Sequence, residues 1–268
     1  AMRGLGARAV PVLCLALNVM LGAMPVSAQA KASADAPRSA EADSLFFAMR
    51  PLSALRLLEA QLEANPDDYQ ACWRAARAAL TLGVITDARA LKESWFRLSE
   101  AYAGQSLALR PGDVDAIALL AAGKGRLAID IAGARGQVRL GLEVWELTHQ
   151  ILAIDPSHAL ANDVLGKLHQ EVRSLTLVER LLARAFLGGG DPMKRATWRG
   201  SETHLRRAIS ADPTFVLFYL DPGDTYRLRG KRGQAMSTYE AGLAVPDLYP
   251  PDPMYKRQMW RRLDELRR

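Results

Sequence analysis

Apolar residues recur along this chain at the three- and four-residue spacing that places them on one face of an α-helix. Leu55, Leu58 and Leu62 form one such stripe, and longer stripes follow within residues 91–102 and 142–152. No stretch shows the strict apolar–polar alternation that is typical of a half-buried strand. From residue 45 onward the pattern therefore predicts an all-α protein with short connections between helices.

Four of the predicted helices end before a proline, and a new helical pattern opens just after each one. These prolines are Pro66, Pro111, Pro156 and Pro213, and they lie 45, 45 and 57 residues apart. Proline ends a helix because it has no N–H group and its ring clashes with the preceding turn, yet it is tolerated where the next helix begins. A helix–proline–helix unit at a near-fixed period predicts a solenoid of antiparallel helix pairs.

The last unit of the chain resembles a tetratricopeptide repeat (TPR), a helix–turn–helix unit with small residues where its helices cross. The residues that follow the order and spacing of that repeat are Gly223, Tyr226, Gly230, Ala235, Tyr239, Leu243 and Pro246. Leu165 and Gly166 supply the repeat's Leu-Gly pair in the preceding unit. We therefore expect an all-α, right-handed TPR-like helical solenoid, in which Pro222 kinks or splits one helix.

The 45-residue spacing exceeds the 34 residues of the simple repeat. In this respect the chain resembles the regulator of microtubule dynamics family of TPR-like proteins. The stretches that carry the resemblance are 73–77, 133–138, 163–168, 175–188 and 208–215, within a match over roughly residues 52–245. The resemblance implies a TPR-like fold and a binding role. It does not imply microtubules, because the features of the N-terminus indicate an exported bacterial protein.

Residues 1–30 have the pattern of a secretory signal peptide: a short basic region, an apolar run and small residues at a cleavage site. A retained N-terminal anchor is the alternative, because the apolar run approaches the roughly 20 residues that span a bilayer. Residues 31–43 are small, polar and proline-broken, which predicts a flexible linker. The predicted solenoid is residues 44–268, including a C-terminal capping helix. We expect a periplasmic protein, membrane-associated if the leader is retained.

Charge and reactive side chains add little to this interpretation. The net charge of +6 is mild, and it permits an acidic partner or a membrane surface without requiring either. The four histidines are not spaced as metal ligands, and the glycines at 188–190 lack the P-loop pattern and predict a flexible connector. Cys72, the single cysteine after the leader, is expected to be a small buried hydrophobe. No catalytic residue, metal or cofactor is predicted.

The sequence therefore favours a non-enzymatic protein–protein interaction module or scaffold in the bacterial periplasm. Such a module would bind a peptide or protein surface in a concave helical groove. The alternative is an accessory structural subunit docked on the periplasmic face of a membrane protein complex. An enzyme that uses His169 or the 188–195 segment is a third hypothesis, without a motif to support it. The expected partner is a protein or peptide, and neither nucleic acid nor a small-molecule substrate is predicted.

Overall fold

The computed structural model describes residues 38–186 and 190–268, and these residues form helices joined by short connections without any strand. The helices, in chain order, are α1 (38–47), α2 (Pro51–Ala64), α3 (Tyr69–Ile85), α4 (Arg89–Leu109), α5 (Val114–Arg126), α6 (Ala134–Ile154), α7 (Ala159–Ser174), α8 (Leu177–Phe186), α9 (Gly190–Arg195), α10 (Trp198–Ala211), α11 (Leu217–Leu228), α12 (Arg232–Ala244) and α13 (Asp252–Arg267). A π-helical turn, Leu127–Ile131, extends α5.

The helices pack as successive pairs, α1/α2, α3/α4, α5/α6, α7/α10 and α11/α12, and α13 covers the last pair. This is the all-α, TPR-like solenoid that the sequence predicts. Helices α8 and α9 are inserted inside the fourth pair, and this insertion accounts for the longer interval between Pro156 and Pro213. Within the described residues, no helix is both long enough and apolar enough to cross a membrane.

The same local geometry ends the second helix of the first four pairs. The residue before each proline donates its backbone N–H to the carbonyl four positions earlier, as in Arg110 to Ser106 at 2.8 Å. Two residues after the proline, a side chain caps the next helix in three of the four units. These caps are Asp68 on Ala71, Asp113 on Ala116 and His158 on Ala161, at 3.1, 3.0 and 3.2 Å. These three connections therefore satisfy backbone groups at two helix ends within about six residues.

The paired helices approach closely where one of them carries a small residue. A Cβ atom built on Gly83 would lie 2.4 Å from the ring of Phe96, and one on Gly166 would lie 2.6 Å from Leu205. Side chains larger than hydrogen at these positions would force the helices apart. Ser99 adds a polar contact at the α3/α4 crossing, because its hydroxyl donates to the Ala76 carbonyl at 2.9 Å.

The remaining TPR positions lie in the last pair and beside Gly166. Leu165 is buried, and so are Tyr226, Ala235 and Tyr239. Gly230 follows the end of α11 with φ of +70°, and the N–H of Lys231 reaches back to the carbonyl of Tyr226 at 2.9 Å. This is the Schellman ending that favours glycine, since an L side chain is strained in the left-handed region.

Three boundaries differ from the sequence-based expectation. The predicted linker 31–43 is too long, because residues 38–43 are already helical and Ala42 is buried against the core. Asp43 explains why this polar stretch folds, since its carboxylate pairs with both Arg74 and Arg77. The signal peptide and the rest of the predicted linker lie outside the described residues.

The other two differences concern proline and glycine. Helix α11 runs through Pro222 from Leu217 to Leu228, although proline removes one backbone hydrogen bond in its interior. Residues 190–195, expected to be a connector, form the short helix α9, while residues 187–189 lie outside the described range. Burial explains the first result, since Pro222 and its neighbours on both sides are buried in a helix that contacts α7, α10, α12 and α13.

Candidate ligand-binding groove

A cavity of about 1000 Å³ runs along the inner side of the helix pairs. Residues of α3, α5, α6, α7, α8, α9, α11 and α13 are among those that line it. Its surface is largely apolar, with Leu80, Leu119, Val138, Leu160 and Phe218 among the lining residues. We refer to this cavity as the groove. It is at the upper end of the size range of ligand sites in proteins, which are mostly apolar with a few convergent polar groups.

The charged residues of the groove contrast with the charge of the chain. The chain as a whole carries +6. Among the described residues that line the groove, by contrast, seven are acidic and three are basic. The acidic residues are Asp115, Asp155, Asp163, Glu171, Glu179, Asp212 and Asp221, and the basic residues are Arg77, Arg126 and Lys167. A concave, largely apolar surface with an excess of one charge concentrates ligands of the opposite charge.

Two of the acidic residues are buried, and they form a cluster with two basic residues and a tyrosine. Lys167 lies between Asp221 and Glu171, with Nζ–O distances of 3.2 and 3.3 Å. Arg126 directs Nη2 at the Tyr255 hydroxyl, 3.5 Å away. Asp163 is 3% exposed, and its Oδ1 atom is buried without a hydrogen-bond donor. The cluster therefore combines a satisfied ion pair with one carboxylate oxygen that the protein does not satisfy.

The electrostatics of the cluster follow from burial. Burial and the neighbouring Asp221 raise the pKa of Asp163 well above its ordinary value, although Arg126 and Lys167 act in the opposite direction. For Lys167, burial disfavours the ammonium form, but Asp221 and Glu171 outweigh that effect and raise its pKa. In the ligand-free groove, Lys167 is therefore held charged, whereas the ionised form of Asp163 is disfavoured.

Three of the four histidines, His149, His169 and His204, form a separate structural cluster around Trp145. His169 packs beside Gly200 at the α7/α10 crossing, and its Nδ1 accepts the backbone N–H of Thr197 at 3.0 Å. Its ring lies 5.4 Å from that of Trp145 and 5.7 Å from that of His204. Burial, together with the neighbouring His169, lowers the pKa of His204 to about 4. Within the described residues, no group of side chains has the arrangement of a metal site.

Sequence reasoning did not find the buried charge cluster. Asp163 and Asp221 each lie three and four positions after two apolar residues, Leu160 and Ala159 in α7 and Phe218 and Leu217 in α11, and this is the signal that could have indicated them. Their partners could not be assigned in the same way. Arg126, Lys167 and Tyr255 belong to three different helices, α5, α7 and α13, which meet only in the folded solenoid.

The paired helices, the capped proline turns and the groove together define a TPR-like helical repeat protein. Residues 39–267 match the family described as regulator of microtubule dynamics protein 1-3, so the chain belongs to that family. A search of curated protein sequences gave no match.

A comparison with solved structures finds similar chains, among them a TPR protein. The thermophilic TPR protein TTC0263 of Thermus thermophilus has a TM-score of 0.57 at 18% identity, with 85% of this chain and 97% of that chain covered. A MamA RS-1 double mutant has a TM-score of 0.43 at 15% identity, covering 82% and 95% of the two chains. The human IFIT1 dimer with m7Gppp-AAAA has a TM-score of 0.43 at 17% identity, covering 75% and 48%. At this level of identity the first similarity shows the fold alone.

Proposed function

We propose that this chain is a non-enzymatic interaction module of the periplasm that binds a peptide or protein segment in its groove. The observation that carries the proposal is the groove itself, about 1000 Å³ in volume and largely apolar. An extended segment can place alternate side chains against such walls. The periplasmic location rests on the signal-peptide pattern of residues 1–30.

Two glycines allow a matched test of this proposal. Gly125 lines the groove, and a Cβ atom built there would meet no other atom within 4 Å. Gly104 lies in the exposed part of α4, outside the groove lining, and has equally open surroundings. Gly125→Leu should therefore place a side chain in the groove from a backbone position that has room for its Cβ atom, and Gly104→Leu should add the same side chain elsewhere. Both replacements remove a helical glycine, which favours folding by about 1 kcal/mol.

The experiment is selection of peptides from a phage-displayed library of random 12-residue sequences on the full chain. Selected peptides are then synthesised, and their binding to the wild type and to both variants is measured by fluorescence anisotropy. We expect Gly125→Leu to weaken binding at least tenfold and Gly104→Leu to leave it unchanged. If no peptide is selected, or if both variants bind every selected peptide equally, the groove is not a peptide site and the proposal is wrong.

A second candidate function, a structural subunit of a membrane complex, is favoured by the exposed side of α8. Leu177, Val178, Leu181 and Leu182 are between 48% and 67% exposed there. Four neighbouring apolar side chains form a ridge that a monomer leaves in water and a complex would cover. Gentle detergent extraction followed by affinity capture tests this. The control is a Leu177→Gln/Leu181→Gln variant, which should be recovered as a lone monomer. Recovery of the wild type as a lone monomer as well would argue against a resident subunit.

A further inference from the structure

The groove contains a buried carboxylate that lacks a counterion in contact with it. Asp163 is 97% buried on α7, lines the groove, and has an Oδ1 atom without a donor. Among the described residues, no lysine, arginine or histidine nitrogen lies within 4.0 Å of a carboxylate oxygen of Asp163, the distance that defines an ion pair. Buried polar atoms in native proteins are nearly always hydrogen-bonded, so an exception at the wall of a cavity points to a group supplied from outside.

None of the three basic residues that line the described part of the groove forms an ion pair with Asp163. Lys167 is bound by Asp221 and Glu171, and Arg126 is directed at the Tyr255 hydroxyl. Arg77 is paired with Asp43, which is not part of the groove lining. Among the described groove residues, Arg126 is therefore the one basic side chain without an ion pair, and a ligand anion beside it would also face the excess of carboxylates.

We propose that the groove takes a lysine or arginine side chain of an otherwise apolar peptide segment, with its cationic end paired to Asp163. This inference rests on the proposed function and specifies its ligand. Lysine and arginine match both parts of the site, because their aliphatic stems pack against apolar walls while the charged end reaches a polar group. An ammonium or guanidinium there would supply the donor that Oδ1 lacks, and it would favour the ionised form of the carboxyl.

The test continues from peptides selected on the wild type whose binding is lost in Gly125→Leu. We expect these groove-dependent peptides to share a lysine or arginine flanked by aliphatic residues. Asp163→Asn keeps the shape of the side chain and removes its charge. It should weaken their binding about tenfold or more, since one partner of a buried charge pair is lost. Glu146→Gln is the matched control, because it removes one exposed carboxylate outside the groove.

A double-mutant cycle separates a direct pair from a general charge effect. Replacing the peptide lysine by norleucine should weaken binding to the wild type and should have little further effect on Asp163→Asn. Circular dichroism and thermal melting check that each variant is folded.

The outcomes distinguish the two proposals. Groove-dependent peptides that are neutral or acidic, or that bind Asp163→Asn and Glu146→Gln alike, would overturn the cation site and leave the peptide groove in place. An absence of groove-dependent peptides would instead refute the proposed function. Additive losses in the cycle would show that Asp163 and the peptide cation do not touch.

Discussion

The crossing of α11 and α12 at Gly223 offers a sharp test of the packing of the repeats. An added Cβ atom on Gly223 would lie 2.2 Å from Cε1 and 2.5 Å from Cδ1 of Tyr239. Carbon atoms in contact prefer about 3.5–4.0 Å, so Gly223→Ala requires a shift of roughly 1.3 Å or more. The tyrosine ring has little freedom to move, because it is fully buried and its hydroxyl donates to Asp224 at 2.6 Å.

The magnitude follows from two opposing terms. Alanine is favoured over glycine in a helix by about 1 kcal/mol. Overpacking a well-filled core costs about 1–3 kcal/mol, and loss of the Tyr239–Asp224 hydrogen bond would add about 1 kcal/mol. We therefore expect Gly223→Ala to lower the free energy of unfolding by about 1–3 kcal/mol in total. Gly104→Ala has open surroundings on α4 and should be neutral or stabilising by up to about 1 kcal/mol.

Urea denaturation measures the free energy of unfolding of both variants, which should fall for Gly223→Ala and stay equal or rise for Gly104→Ala. Hydrogen exchange shows which helices lose protection. In a solenoid each repeat contacts only its neighbours, so the loss of protection should be confined to α10–α13. The helices around Cys72 should keep the protection that they have in the wild type. Equal stability of the two variants would refute the packing argument. An equal loss of protection in α3 and in α11 would instead indicate a single cooperative core.

Three further outcomes are expected. Asp163→Asn should raise the melting temperature at pH 7. Because burial raises the pKa of Asp163, the wild type loses stability as the pH rises through that pKa, whereas the asparagine variant does not. The gain should vanish below about pH 4, and a gain that is constant across the pH range would contradict this. His204 should show no titration near pH 6.5 by NMR, because its pKa is lowered to about 4. Its contribution to stability should be lost as the pH falls from about 6.5 towards 4. A chemical-shift midpoint near pH 6.5 would refute its burial. Cys72 is fully buried, and burial raises its pKa to about 11. Thiol labelling at pH 8 should therefore proceed only at the rate of unfolding. Rapid labelling of the native protein would contradict the structure.

Local chemistry accounts for the parts of the fold that could be predicted. Each helix end at Pro66, Pro111 and Pro156 is set by a residue that cannot continue a helix, and this effect acts within one turn. The same holds for Gly230, where a left-handed residue is needed to end α11. These signals do not depend on the rest of the chain. The ends of these helices and the all-α class therefore follow from the sequence alone.

The boundary at the N-terminus shows where local reasoning is insufficient. Residues 38–43 have the composition of a linker, yet Asp43 pairs with Arg74 and Arg77 from the following unit. Helix α11 likewise continues through Pro222 because the surrounding helices enclose it. In both cases contacts from distant residues outweigh a weak local preference.

The groove depends on the tertiary structure. Arg126, Asp163, Asp221 and Tyr255 are between 34 and 58 residues from the next member in the sequence, and no spacing rule connects them. They meet because successive helix pairs stack with their first helices on the same side, and the rotation between pairs decides which side chains face one another. Sequence alone determined the repeating helices of this protein. Stacking of those helices decided that an apolar, acidic groove exists and that Asp163 is buried in it without a donor.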